Sequence, residues 1–151
     1  MIASQITARL AEIAATITTA NGYASNVGAL VVIGDGQSVS DTAPSLSVIP
    51  GRQQTVDFYR TDEIERDYVV KAFADLRHHP GTEEYELVDI VIWDLRKAFS
   101  AYDSTLYGLG CEVMLKDDRP GYSESGGAIV GAALALTINY RVDPSDPTST
   151  P

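Results

Sequence analysis

The side chains best able to do chemistry in this chain are few, and their spacing is unfavourable for catalysis. The two histidines, His78 and His79, are adjacent in the turn sequence HHPG, and neighbours in sequence rarely converge on one metal ion without further ligands. The stretch GYSESGG at 121–127 resembles a nucleophile elbow but has Ser125 where that motif needs glycine. The Gly-rich GDGQS at 34–38 lacks the lysine of a phosphate-binding loop.

Acidic clusters are the other candidates for chemistry. General acid–base catalysis needs two carboxylates that face each other across a cleft. Asp117 and Asp118 instead lie in a turn at the end of a predicted strand, where Asp accepts local backbone hydrogen bonds. Glu83, Glu84 and Glu86 lie at the start of a predicted helix, where the helix dipole favours acids. We therefore predict no enzyme, with no catalytic, cofactor-binding or metal-binding residues and no cofactor.

The composition is that of one globular domain with an acidic surface. The chain has 151 residues, 44% of them apolar, and a net charge of −10 from 21 Asp and Glu against 11 Lys and Arg. A nucleic-acid-binding protein is disfavoured, because such proteins neutralise phosphates with Lys and Arg. The single cysteine, Cys111, excludes an internal disulfide and a Cys-based zinc site.

Nothing in the hydrophobic pattern predicts a membrane protein or a secreted one. The apolar runs are far shorter than the roughly 20 residues that a membrane-spanning helix needs. The N-terminal sequence MIASQITARL lacks the basic start and apolar block of a signal peptide. We expect a soluble protein that is made in a cytoplasm and has no membrane partner.

The hydrophobic periodicity predicts the element order α-β-β-(β)-β-α-β-β. This order indicates an α+β fold, with a mixed, mostly antiparallel sheet and two main helices packed on it. A single domain is expected over 1–144, and the polar residues 145–151 are expected to form a disordered C-terminal tail. The predicted helices are 2–20 and 82–102, the strands are 28–34, 46–51, 66–75, 110–118 and 128–142, loops cover 35–45 and 119–127, and 52–65 is ambiguous.

The last predicted strand has the clearest alternation in the chain. Its even-numbered residues from Val130 to Val142 are apolar and predict the core-facing side. The opposite side begins with the small residues Gly131, Ala133 and Ala135, which would let the Ala-rich first helix approach closely. A strand of about 15 residues spans roughly 50 Å. We therefore expect it to bend at Gly131, or to project beyond its own sheet and add to a neighbour's.

The second predicted helix has a good N-cap in Thr82 and one apolar stripe. Its N-terminal two thirds are apolar on more than one face. One side is expected to meet the sheet, and the other could meet another subunit or stay within the chain. The stripe consists of Val88, Val91, Leu95, Phe99 and Tyr102.

Several soft motifs occur in a characteristic order along residues 2–144. A helix runs into NGYASNVG, an LSVIPG segment and a DYVVKAFA strand follow, and the helix EEYELVDIVIWDLRKAFS precedes the final ALTINYRVDPSDP. This order resembles the tail terminator (minor tail protein U-like) and tail-completion proteins of tailed bacteriophages. The resemblance consists of element order and soft motifs, without a catalytic signature.

The resemblance implies a virion structural protein of the tail or neck, made in the host bacterial cytoplasm. Such a protein forms a ring, expected to be a hexamer, that caps the tail tube, stops its polymerisation and joins it to the head connector. Its partners would be further copies of itself, the tail tube protein and the head–tail connector protein, while DNA passes through without specific binding. The alternatives are another phage neck, head–tail connector or tail-completion protein, and a small acidic enzyme or ligand-binding domain.

Two sets of residues are candidates for roles in such a ring. Acids that line the lumen would keep DNA from adhering, and the densest acidic run supplies candidates: Asp57, Asp62, Glu63, Glu65 and Asp67. Aromatic residues are enriched at protein interfaces. The candidate interface residues are Tyr140, Ile129 and Trp93.

Overall fold

Two helices and five strands make up the described part of the chain. A computed structural model describes residues 2–34, 43–57, 62–100, 111–121 and 128–142. The predicted loop residues 35–42 and 122–127 and the predicted tail 145–151 lie outside these ranges. The elements are α1 (Ile2–Ala15), β1 (Val31–Ile33), β2 (Ser45–Asp57), β3 (Asp62–Asp75), α2 (Glu84–Ser100), β4 (Glu112–Gly121) and β5 (Ile129–Val142).

The strands form one sheet in the order β1-β2-β3-β5-β4. The short β1 pairs with β2 in parallel, and the other neighbouring strands are antiparallel. This is the α+β fold with a mixed, mostly antiparallel sheet that the sequence predicts.

Both helices pack on one face of the sheet, called here the inner face. The even-numbered residues of β5 from Val130 to Tyr140 are buried on it, which confirms the predicted alternation. Tyr68 of β3 lies beside Leu136 of β5, and its hydroxyl is 2.9 Å from the Thr7 hydroxyl of α1. The apolar side chains predicted to line one side of the second helix are buried from Val88 to Phe99, and the last of them, Tyr102, lies outside the described residues. The opposite face of the sheet, called the outer face, has the odd-numbered residues of β3 and β5.

The predicted approach of α1 to the small residues of β5 is wrong. Those residues lie on the outer face, whereas α1 packs on the inner face through Ile6 and Leu10, which are fully buried. The small size of Gly131 serves a different contact. The Phe73 ring lies over it so closely that a Cβ atom there would be 3.4 Å from two ring carbons.

The alternative that β5 projects beyond its own sheet is also wrong, whereas a bend at Gly131 stays a prediction. β5 pairs with β3 without a register shift from Ile129 opposite Asp75 to Val142 opposite Asp62. Its other side pairs with β4. From Gly131 to Asn139 both sides of β5 have partners within the chain, so this part of the strand cannot extend a neighbour's sheet.

The strands β2 and β3 are much longer than predicted, since they include most of the ambiguous stretch 52–65. Pro50-Gly51 was expected to end the second strand, but β2 continues through a register shift between Pro50 and Gln53. Proline has no N–H to donate to a neighbouring strand, so it is tolerated at a sheet edge, where no neighbour needs that donor. β1 pairs with β2 only as far as Val48, so Pro50 lies where β2 has become an edge.

The first helix ends five residues before the predicted boundary. The Thr16 hydroxyl donates to the Ile13 carbonyl at 2.6 Å, and a short 3-10 turn follows at Thr19–Asn21. Threonine side chains compete for helix carbonyls in this way, which weakens the helix. Gly22 adopts a left-handed conformation, with φ of 85°, and closes the 3-10 turn.

Three further elements differ from prediction in their bounds, and one of them, β4, continues to Gly121 through residues predicted as a loop. Residues Val27–Ala29 form a 3-10 turn and the strand is only Val31–Ile33. Gly28 lies against the end of α1, where a Cβ atom would come within 2.3 Å of the Ala14 carbonyl oxygen. The second helix begins at Glu84, two residues after Thr82, and the Glu86 carboxylate accepts from the Glu83 N–H at 3.0 Å, as in half of a capping box.

Candidate assembly surfaces

The exposed side of α2 has two large aromatic residues separated by an acid. Trp93 is 70% exposed and Tyr85 is 59% exposed. They lie eight residues apart, so about 12 Å along the helix axis, with Asp89 exposed midway between them. We call these three residues the α2 stripe. Exposed aromatics of this size are typical of interface anchors.

A buried carboxylate fixes how α2 is rotated against the rest of the domain. Asp94 is 5% exposed and follows Trp93 directly on the helix. Its carboxylate accepts hydrogen bonds from the Ser25 hydroxyl at 2.6 Å, the Ser25 N–H at 2.8 Å and the Ala24 N–H at 3.2 Å. With Asp94 held inward, Trp93 precedes it by about 100° around the helix and lies on the exposed side.

The two basic residues near Trp93 on α2 have partners within the chain. The Arg96 guanidinium pairs with the Asp118 carboxylate of β4 at 2.8 Å. The Lys97 ammonium donates to the Gly22 carbonyl at 2.9 Å and lies 4.7 Å from the centre of the Tyr23 ring. The α2 stripe is therefore aromatic and acidic in character.

The outer face of the sheet contains a shallow apolar groove between two cations. Ala133 of β5 lies between Lys71 of β3 and Arg119 of β4 in the strand register. The groove has a volume of about 220 Å³. We call it the outer groove, and its two cations, Lys71 and Arg119, are called its rim. The groove is lined by Lys71, Ala72 and Phe73 of β3, Arg119 and Pro120 of β4, and Gly131, Ala132 and Ala133 of β5.

Three of the predicted lumen acids lie on the same outer face, toward the other end of β3. Glu63 is 3.9 Å from the Arg141 guanidinium, and Glu65 accepts from the Gln54 amide at 3.4 Å. Asp67 accepts from the Thr137 hydroxyl at 2.9 Å. The other two candidates, Asp57 and Asp62, lie at the ends of β2 and β3, and their side chains are outside the described part.

The predicted interface residues have different surroundings. Tyr140 is 3% exposed, and its hydroxyl donates to the Gln53 amide oxygen at 3.2 Å, so its side chain is used within the chain. Burial raises the pKa of the Tyr140 hydroxyl. Ile129 is half-buried at the start of β5, opposite Asp75. Of the three, Trp93 is the most exposed, at 70%.

A second cavity lies beside α1 on the inner side of the sheet edge. It has a volume of about 460 Å³ and is lined by Ala3, Ser4, Thr7, Ala8, Ile33 and Arg66. The Arg66 Nε is buried and has no hydrogen-bond acceptor among the described residues, while its guanidinium carbon lies 5.4 Å from the centre of the Tyr68 ring.

The titratable groups with shifted pKa values have structural causes. The Arg77 guanidinium beside Asp75 lowers the pKa of that carboxyl to about 2. Burial raises the pKa of the Cys111 thiol to about 11. Within the described ranges, no three His, Cys, Asp or Glu side chains are grouped as metal ligands.

Comparison with known proteins adds no relative. No protein-family model matches this chain, and a search of curated proteins finds no similar sequence. None of the helices in the described ranges has the length and apolar character required to cross a membrane.

Sequence reasoning missed part of both surfaces. Tyr85 could have been found from its spacing, because it lies eight residues before Trp93 on the side of α2 opposite the buried stripe. The outer groove had no sequence signal of its own. Its residues come from three strands, and the sheet register alone makes Lys71, Ala133 and Arg119 neighbours.

Proposed function

We propose that this chain is a virion structural protein whose copies form a ring of six on the end of a phage tail tube. The ring stops tube polymerisation and joins the tube to the head connector. The proposal rests on the resemblance in sequence, and one structural observation supports it. That observation is the presence of two chemically different surfaces, the α2 stripe and the outer groove, on opposite sides of the domain.

Surfaces on opposite sides of a molecule cannot meet within one copy. They can meet between copies, in a head-to-tail contact that uses a different patch on each partner. Contacts of this kind close into a ring when the rotation between copies fits. α2 lies against β5 and β4 on the inner face, while the outer groove lies across β3, β5 and β4 on the other face, so each copy offers both halves of such a contact.

The charge distribution suits a conduit for DNA. Each copy has a net charge of −10, so six copies would have −60. Glu63, Glu65 and Asp67 form an acidic area on the outer face, separate from the cationic rim of the outer groove. Acids that line a narrow passage repel DNA over a Debye length of about 8 Å at physiological salt.

Deletion of the coding sequence from the phage that encodes this chain tests the function directly. Without a terminator, tube growth has no stop and no surface for the connector. We expect electron microscopy to show tails of irregular, excess length that are not joined to heads, and a loss of infectious particles. Normal tails on infectious virions would contradict the proposal.

The lumen role of the acids has its own test. A variant with Glu63, Glu65 and Asp67 replaced by lysine is expected to retain duplex DNA in a mobility-shift assay, whereas the unchanged protein does not. The control variant has the same change of charge at three positions on the helix side of the domain, Glu12, Glu83 and Glu86. Equal DNA retention by both variants would show that net charge alone, and not the position of these acids, excludes DNA.

A further inference from the structure

We infer that Trp93 of one copy docks in the outer groove of a second copy, with Asp89 beside Arg119. This inference rests on the proposed function, since it names the contact that joins neighbouring copies in the ring. It also identifies the occupant of an apolar surface that neither α1 nor α2 of the same copy covers.

The groove has the right size and lining for a single large side chain. Its volume of about 220 Å³ is below the ~300 Å³ at which pockets for drug-sized ligands begin. Two of its lining residues, Gly131 and Ala133, have little or no side chain, and the Phe73 ring lies against Gly131. An indole entering this space would meet an aromatic partner, and aromatic pairs favour edge-to-face or offset stacking.

The charges of the two surfaces are complementary. Arg119 and Lys71 flank Ala133 at the rim of the groove. On α2, Asp89 is exposed one turn before Trp93, and Glu86 is exposed a further turn away. A cation at the rim can pair with Asp89 and can also lie over the indole face.

The same charges disfavour the two symmetric alternatives. A groove-to-groove contact would bring Arg119 of both copies together, and a stripe-to-stripe contact would bring the two Asp89 carboxylates together. Like charges across an interface suppress the wrong pairing. The head-to-tail arrangement, in which the stripe of each copy meets the groove of the next, is the one that pairs opposite charges.

Trp93 is the single tryptophan of the chain, so its fluorescence reports directly on this contact. In an isolated copy its side chain is 70% exposed, which gives red-shifted emission. The experiment is a dilution series of the full chain, followed by sedimentation velocity and by emission wavelength on the same samples. We expect the emission to shift to shorter wavelength in step with assembly.

Substitution at the groove rim gives the matched test. Arg119→Asp is expected to weaken association about 10-fold or more and to keep the emission red-shifted, because it opposes Asp89. Lys116→Asp, the same charge change at an exposed position of β4 outside the groove, is the control and is expected to assemble normally. Asp89→Arg combined with Arg119→Asp is expected to restore association.

Each outcome decides the inference. Assembly without a blue shift, or normal assembly of Arg119→Asp, would overturn the docking contact while leaving the ring itself intact. A chain that stays monomeric at millimolar concentration would also overturn it as a self-contact. The tail-length phenotype is measured separately in the phage, so failure of the proposed function can be told apart from failure of this contact.

Discussion

Removal of the Asp94 carboxylate is expected to destabilise the domain strongly, although no cation pairs with it among the described contacts. The Ser25 side chain and backbone are buried, and both donate to Asp94. In Asp94→Ala these two donors lose their acceptor, and each buried unsatisfied group costs about 1–3 kcal/mol. The Ala24 N–H is partly exposed and can turn to water. We therefore expect a loss of about 3 kcal/mol in the free energy of unfolding.

Urea unfolding followed by circular dichroism measures this loss, from the shift in midpoint at constant slope. Asp94→Asn keeps one acceptor oxygen and is expected to lose about half as much free energy. Asp89→Ala, at an exposed position of the same helix, is the control and should change stability by less than about 0.5 kcal/mol when measured at concentrations that keep the chain monomeric. A loss below about 1 kcal/mol for Asp94→Ala would refute the view that this carboxylate fixes the rotation of α2.

Three further predictions follow from buried or paired groups. Leu136→Asp places an unpaired charge on the inner face and should abolish the cooperative thermal transition. The control Ala135→Asp, on the outer face, should keep that transition. Near-native melting of Leu136→Asp would refute the assigned faces of β5. Cys111 should resist Ellman's reagent at pH 8 until the protein is unfolded, because burial raises its pKa to about 11; rapid labelling of the native protein would contradict this. The pKa of Asp75 is lowered from 3.8 to about 2, so its stabilising effect is present above about pH 4 and is lost as the pH falls to 2. A stability difference between wild type and Asp75→Asn that stays constant over this interval would contradict this prediction.

The fold class and the orientation of β5 could be predicted because one strong signal determines each. Since both helices cover the same face of the sheet, one set of alternate residues of β5 is buried. The apolar even-numbered residues from Val130 to Tyr140 show which set that is. The same holds for α2, whose buried stripe has helical spacing.

The extents of β2 and β3 could not be predicted, because their outer-face residues are polar and Pro50-Gly51 interrupts the pattern. Pairing between the two strands continues past this interruption through a register shift, and the position of that shift cannot be predicted from the local sequence. The role of the small residues in β5 was misjudged for a related reason. The sequence shows that Gly131 leaves space, but only the pairing with β3 shows that the Phe73 ring occupies part of it.

Of the two candidate surfaces, one could be found in part from the sequence and the other could not. Trp93 was a candidate from the sequence because aromatic residues are enriched at protein interfaces. The outer groove depends on residues far apart in the chain, Lys71 and Arg119, which the register of three strands brings to either side of Ala133. Long-range register is a property of the whole sheet, so no motif could reveal the groove.

The native mass of the purified chain tests the central claim most directly. A closed ring of six copies of a 16.2 kDa chain has a mass of about 97 kDa. The account predicts one species at that mass in sedimentation equilibrium, replaced by smaller species when Arg119→Asp is introduced. A single 16.2 kDa species at every concentration, or an open series of masses that keeps growing, would contradict a closed ring built from the α2 stripe and the outer groove.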